Sequence, residues 1–327
     1  MDISCAFATS LETPGHIAEA ERLGFRRAWC YDSPPLYPDV WMTLALAAQR
    51  TSVIGLGPCV LVPHLRHVMT NVAAIATLEA LAPGRVSVAI GSGFTGRLAL
   101  GQRPMSWKSV GVYVAALRAL LKGEEVEWDG TVLKMLHLEG FAPARPIDVP
   151  ILVAIGGPKG LAVAEELADG VVLAGTMGPL DPGRMRRILQ TTTGTVLEPG
   201  ESTGSERVLA AAGHAGAIAY HFAYEHGRAA QLPRGDEYAR IIDAIEPERR
   251  HLAVHEGHLV AMNAIDRRFV TGEFLAQAGL AASADAWRAR LSGIESRGAT
   301  EVVYQPAGPD IPRELRAFAE MAGLRGR

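Results

Sequence analysis

Short apolar runs alternate with longer stretches whose apolar positions recur at helical spacing, and the alternation repeats along most of the chain. ISCAFA (3–8) reads as a strand and PGHIAEAERLGF (14–25) as a helix with proline in its first turn and Gly24 at its end. RAWCYD (27–32) predicts a second strand, and DVWMTLALAAQR a helix with Asp39 as its N-cap. SVIGLGPCVLV then predicts strand three, NVAAIATLEAL a helix, RVSVAIG strand four, VPILVAIGG strand five and GLAVAEELA its helix. DGVVLAG, RVLAAAG and EVVYQPAG complete the set as strands six, seven and eight. Most of these runs are continuously apolar rather than alternating, which suits a parallel sheet covered on both faces. The repetition predicts an α/β fold, a closed (β/α)8 barrel of the TIM type, with an open doubly wound sheet as the alternative.

Two segments break the rhythm. GEEVEWDGTVLKMLHLEGFAPARPID (123–148) carries WDG between alternating runs and predicts a hairpin-like insertion after strand four. The stretch from Gly213 to about Gly279 is too long for one crossover helix and predicts a long helical segment between strands seven and eight. Both keep apolar periodicity and lack Ser/Pro/Gly tracts, so residues 1–327 are expected to form a single domain. Strand three poses its own question, because GLGPCVLVPHLRH (55–67) places Pro58 inside an apolar run and Pro63 at its end. Proline cannot donate to a ladder and marks an edge, a terminus or a bulge.

Composition narrows the function classes. With 327 residues, 48% hydrophobic, 20% charged and a net charge of -3, the chain can bury a large core and lacks the basic excess with which nucleic-acid or anionic-membrane binding begins. A small-molecule substrate is expected, with no nucleic-acid or membrane partner. The three cysteines, Cys5, Cys30 and Cys59, lie in apolar runs without CxxC spacing, so neither a disulfide framework nor a thiolate zinc site is indicated. No basic leader with a cleavage site opens the sequence and no run of about 18 apolar residues occurs, so a cytoplasmic protein is expected.

On a barrel, chemistry sits at the C-terminal ends of the strands and in the loops after them. GGPKG (156–160), between strand five and a helix, can cradle an anion on backbone amides at a helix N-terminus, with Lys159 adding charge, or can simply make a tight turn. GSGFTGR (91–97), with Gly91 and Gly93, is similar in kind but matches neither the P-loop nor GxGxxG spacing. Asp32 in YDSPP reads either as a polar anchor for a ligand or as a turn residue. Six of ten histidines lie in the segment before strand eight, and HLAVHEGH sets His251, His255 and His258 at i, i+4 and i+7 on one helical face. A metal site there must be weighed, but the motif is not HExxH and Gly257 interrupts the helix, so no metal is assigned. Substrate contact at the barrel mouth is the preferred role, with a surface or packing role open. Asp266, Arg267 and Arg268 could add a charged contact. No GxSxG elbow is present, so hydrolase readings are weak.

The run from Tyr31 through Gly93, YDSPPLYPDVWMTLALAAQRTSVIGLGPCVLVPHLRHVMTNVAAIATLEALAPGRVSVAIGSG, resembles the luciferase-like flavin-dependent oxidoreductases. Within them it is most similar to the branch that includes deazaflavin-dependent methylenetetrahydromethanopterin reductases. The similarity extends through ILVAIGGPKGLAVAEELADGVVLAG and the closing EVVYQPAGPDIPRELRAFAE, and weakens between about 180 and 290. It implies a (β/α)8 barrel, often dimeric, that holds FMN or coenzyme F-420 at its C-terminal face. It implies a bulged third strand behind the planar ring, in many members through a non-prolyl cis peptide, here between Cys59 and Val60. It also places Asp32 near the ring's pyrimidine side and gives the phosphate-bearing tail to Gly156, Gly157, Lys159, Gly160, Gly175 and Thr176. The sequence departs from the family at Tyr31, Asp32 and Ser33, where many members have Ser-Asp-His. At Phe94 it lacks the glutamate of the sugar-phosphate dehydrogenases.

The resemblance implies an oxidoreductase that exchanges a hydride with a small organic substrate, or, with reduced FMN and oxygen, a monooxygenase. By position alone, His255 or His258 is expected to donate a proton. A metal- or phosphate-binding barrel hydrolase or isomerase, and a barrel that binds flavin without turnover, are the readings from other classes.

Overall fold

A computed structural model describes residues 1–175 and 185–326. Eight parallel strands close into a barrel: Asp2–Phe7, Arg27–Cys30, Gly55–Leu61, Val88–Ile90, Ile151–Ile155, Gly170–Leu173, Ile188–Thr193 and Glu301–Gln305. Each strand pairs with its sequence neighbours and the eighth closes on the first, Asp2 opposite Glu301. The barrel interior is filled by Ala6, Trp29, Cys59, Ala89, Leu152, Val172, Leu189 and Val303. Above them, toward the C-terminal end, Tyr31, Val60 and Ala154 are only half-buried.

The helices pack outside, and their starts follow the local chemistry. Asp39 caps Val40–Arg50 by accepting from the Trp41 and Met42 amides at 2.9 and 3.0 Å, an arrangement that stabilises a helix by about 1 kcal/mol. The segment after strand four holds the helix Trp107–Lys122 and an antiparallel hairpin, Val126–Trp128 with Thr131–Leu133. Gly130 sits in its turn at φ +76°. The expected insertion is therefore present.

One expected strand is not a strand. RVLAAAG (207–213) lies inside the helix Glu206–Glu225, capped by Ser205, which accepts from the Val208 amide. An alanine-rich run has the highest helix propensity and no β-branched side chains beyond its one valine. The seventh strand is instead ILQTTT, Ile188–Thr193, whose threonines suit a pleated strand but whose polar positions hide it from a search for apolar runs.

The chain leaves the barrel after strand seven through Thr195–Val196 and returns through Ala281–Ala282, and these two short strands pair in parallel. The excursion between them holds the helices Glu206–Glu225, Gly235–Asp243, Arg250–His255 and Gly272–Gln277. It packs around its own apolar cluster, including Val208, Tyr220, Tyr238, Val254, Phe269 and Leu275. The long helical segment expected between strands seven and eight is present, beginning earlier than Gly213. Its loop 256–260 is tied to the barrel mouth, because Gln305 Nε2 donates to Leu259 O at 2.7 Å and the Tyr37 hydroxyl donates to His258 O.

Candidate functional site

The mouth of the barrel is shaped by strand three. Pro58 pairs opposite Cys30, after which the register on strand four shifts between Cys59 and Leu61. The Cys59–Val60 bond is cis, as the family resemblance implies. Proline at position 58 is therefore tolerated beside a bulge, and Pro63 opens a short 3-10 turn, Pro63–Leu65. Val60, Tyr31 and Ala154 are each half-buried and each packs against the interior cluster, and Val60 and Ala154 both border Gly91. The neighbouring loop makes room for Val60. A Cβ on Gly91 would stand 2.8 Å from Val60 Cγ2, and one on Gly93, at φ +84°, would stand 2.5 Å from Val62 Cγ1.

Asp32 is neither a helix cap nor a free carboxylate. It is 4% exposed and ion-paired with the Arg66 guanidinium, whose other nitrogen donates to Asp39 Oδ2 at 2.7 Å. Burial raises the Asp32 pKa above the usual carboxylate value, and Arg66 pulls it back only in part. Burial opposes the Arg66 charge, yet the two carboxylates outweigh it and raise the Arg66 pKa. Asn71 and Tyr113 hold the adjoining loop: Asn71 Nδ2 donates to the Tyr113 hydroxyl at 2.7 Å, and Trp41 Nε1 to Asn71 Oδ1 at 2.9 Å. Nothing in the local sequence marks Arg66, because both of its carboxylate partners lie some thirty residues earlier in the chain.

The GGPKG loop opens the helix Pro158–Leu167. Among the described residues, a Cβ on Gly156, Gly157 or Gly175 would meet nothing within 4 Å. Gly157 has φ 174° and ψ -177°, an extended backbone that does not itself require glycine. Lys159 is exposed. Gly160 is different: it is buried, its amide donates to Gly157 O at 3.1 Å, and a Cβ would stand 2.7 Å from Trp107 Cζ2. Packing against Trp107 therefore accounts for glycine at 160. Thr176 lies outside the described residues.

The histidines do not share one helical face. The helix Arg250–His255 ends before Gly257, at φ +71°, and the His251 ring lies against Gly101. His255 and His258 instead meet His221, from the helix Glu206–Glu225. His221 Nδ1 is 3.0 Å from His258 Nδ1, and His255 Nδ1 is 3.4 Å from the same atom. His221 Nε2 stands 3.0 Å from Asp266 Oδ1, His255 Nε2 is 3.4 Å from Glu225 Oε1, and His258 Nε2 is 3.3 Å from Thr95 Oγ1. Asp266 thus joins the cluster, while Arg267 and Arg268 are exposed.

His255 and His258 are 2% and 3% exposed, so neither presents a free ring nitrogen to the mouth. Burial, and then the neighbouring His221, His255 and His214 rings, push the His258 pKa down to about 2. His258 is therefore neutral near pH 7, which argues against the imidazolium acid that its sequence position suggested. His214, on the same helix as His221, reaches Thr193 Oγ1 at 3.0 Å and is pushed down to about 4 by burial.

A sequence profile of luciferase-like monooxygenases matches residues 11–301. The chain belongs to that family. Among its relatives, a 5,10-methylenetetrahydromethanopterin reductase of Methanolobus tindarius is 33% identical over 159 residues, 47% of each chain. An F420-dependent glucose-6-phosphate dehydrogenase of Beutenbergia cavernae is 29% identical over 225 residues, 63% of each chain. The match thus spans about half the length of the first of these relatives and under two thirds of the second. The fold is that of the solved coenzyme F420 dependent tetrahydromethanopterin reductase from Methanopyrus kandleri, at 17% identity, TM-score 0.66, and 99% and 100% coverage of the two chains. The FMN complex of the oxygenating constituent of 3,6-diketocamphane monooxygenase from Pseudomonas putida gives TM-score 0.61 at 15% identity, over 98% of this chain and 97% of that one. In the luciferase-like chain described here, the bulged third strand and the open glycine loops lie at the C-terminal face of the barrel, the face on which such barrels carry out chemistry.

Proposed function

We propose that the protein is a deazaflavin- or flavin-dependent oxidoreductase that exchanges a hydride with a small organic substrate. The observation that carries the proposal is the pairing, on one barrel face, of apolar surface with a glycine-rich loop. Val60, Tyr31 and Ala154, half-buried on the interior cluster, would offer apolar surface to a planar ring, and the space that the described residues leave over Gly156, Gly157 and Gly175 would suit a phosphate-bearing tail. A ten-residue helix begins at Pro158, so its N-terminal partial charge and Lys159 both favour an anion there. Coenzyme F-420 is the first choice because relatives bear F420-dependent names, and FMN the second because one structural neighbour is an FMN complex.

When bound, such a cofactor supplies the hydride chemistry, and the protein supplies orientation and exclusion of competing reactions. Val60 and the bulge would support one face of the cofactor's ring. Arg66 fixes the buried Asp32 carboxylate and compensates its charge, which ties the segment after strand three to the end of strand two. The Tyr31 hydroxyl donates to Gln305 Oε1 at 3.1 Å, and burial raises its pKa well above the ordinary phenol, so it keeps its proton at neutral pH. The loop 256–260, held by Gln305 and Tyr37, walls the mouth on the side of the excursion.

Titrating the purified chain with F-420 and with FMN, each followed by fluorescence quenching, tests the reading. Saturable binding of one cofactor per chain is the expected result. Absence of quenching with both would overturn it.

A further inference from the structure

The three buried histidines converge through the same ring atom. His221, His255 and His258 each turn Nδ1 inward, and one ligating atom from each lies within 4.8 Å of the others. Their Nε2 atoms point outward, to Asp266, Glu225 and Thr95 respectively. That division of atoms decides the protonation pattern. An ionised carboxylate only accepts, so the His221 Nε2 facing Asp266 Oδ1 at 3.0 Å carries the hydrogen and leaves a lone pair on Nδ1. His255 Nε2 stands 3.4 Å from Glu225 Oε1 without forming a hydrogen bond to it. The His221 Nδ1 lone pair therefore faces His258 Nδ1 at 3.0 Å.

We infer that His221, His255 and His258 form a three-nitrogen site for a divalent transition-metal ion of the Zn2+ type. Two nitrogens bound to a tetrahedral ion at about 2.0–2.1 Å stand about 3.3 Å apart. Two of the three separations, 3.0 and 3.4 Å, bracket that value, and the third lies within 4.8 Å. Imidazole nitrogens select Zn, Cu, Fe or Ni over Mg and Ca, and all-nitrogen ligation without thiolates fits Zn2+ or Co2+ as probes. For His221 and His258 the outer groups form the support that metal-bound histidines ordinarily have, the Asp266 carboxylate and the Thr95 hydroxyl on the second ring nitrogen. Asp266 is itself held in place, since Asn263 N donates to its Oδ2 at 3.2 Å and the Asp266 amide to Asn263 Oδ1 at 2.9 Å. The ligand set contains three residues among those described, so the fourth tetrahedral position falls to water.

The site joins the helix Glu206–Glu225 to the helix Arg250–His255 and to the turn that carries His258. That turn is bonded to Tyr37 and, through Leu259, to Gln305 at the barrel mouth. An ion here would lock the wall of the mouth in place, a role independent of which organic cofactor the barrel takes.

The test uses the full chain with any affinity tag removed, stripped with chelator and dialysed against Zn2+ or Co2+. Wild type is expected to retain one equivalent of Zn2+ by elemental analysis, to show the intense visible absorption of tetrahedral Co2+, and to melt higher with Zn2+ than without. His221→Ala and His255→Ala are expected to lose the bound ion and the melting shift. Asp266→Asn is expected to weaken binding by about 10–100-fold. His251→Ala, which removes the neighbouring ring that lies against Gly101, is expected to bind as wild type. Retention of no metal by wild type, or equal retention by wild type and His221→Ala, would overturn the inference. Should an alanine variant fail to fold, the wild-type Co2+ spectrum decides alone, and an octahedral spectrum would refute the site.

Discussion

Alanine at position 157 separates the requirements of the fold from those of the cofactor. Glycine is not needed there by the described chain, because the backbone is extended and an added Cβ would meet no described residue within 4 Å. Replacing a glycine whose conformation alanine can adopt stabilises a protein by about 0.4–1 kcal/mol, through the smaller entropy of the unfolded chain. Gly157→Ala is therefore expected to raise the melting temperature of the free protein by about 0.5–1.5 °C. The same methyl group would occupy the space assigned to the phosphate-bearing tail. Loss of one hydrogen bond to a charged group is worth about 1.5–3 kcal/mol, so cofactor affinity should fall by about 10- to 100-fold. Thermal melts of the free variant and fluorescence titrations with F-420 and FMN read the two effects separately. Unchanged affinity in Gly157→Ala, repeated in Gly156→Ala, would refute the placement of the tail. A lowered melting temperature would show that the space over the loop is needed by the fold.

Gly91→Ala should behave oppositely, since its Cβ would press on Val60 at 2.8 Å; overpacking of this kind costs about 1–3 kcal/mol, and both melting temperature and cofactor affinity should drop. Arg66→Ala leaves Asp32 buried without its partner and should destabilise by about 3–5 kcal/mol in denaturant unfolding, whereas Arg66→Lys should recover part of that loss. His214 is depressed to about 4 in the fold, so as pH falls from about 6.5 toward 4 the unfolded chain takes up a proton that the native chain refuses. Roughly 3 kcal/mol of stability should vanish across that window, and His214→Gln should show a shallower decline in melts from pH 7 to 4.

The barrel was legible where strands are buried on both sides, because apolar runs such as ILVAI and EVVYQ need no partner to be recognised. Strand seven failed for the converse reason. Gln190, Thr191 and Thr193 are half-buried polar side chains near the mouth, so the strand nearest the excursion has the least apolar sequence. RVLAAAG took its place only because alanine counts as apolar in a strand search while favouring a helix. The bulge in strand three announced itself through Pro58, and the tail loop through its glycines. Gly91 and Gly160 look alike in sequence, yet one admits Val60 and the other admits Trp107, a distinction that requires the neighbouring elements. The histidine cluster was found in part. Helical spacing paired His255 and His258 with His251, but Gly257 ends the regular helix and the third ring comes from His221, over thirty residues earlier. Arg66 carried no signal at all, since its partners Asp32 and Asp39 become its neighbours only when strands two and three lie side by side.

Diffraction from crystals of the chain soaked with F-420 or FMN would locate the cofactor itself. The ring should lie against Val60 and Tyr31, with the phosphate beside the amides of Gly156 and Gly157 at the start of the helix Pro158–Leu167. A cofactor bound elsewhere on the barrel, or a mouth that stays closed to both at saturating concentration, would contradict the assignment.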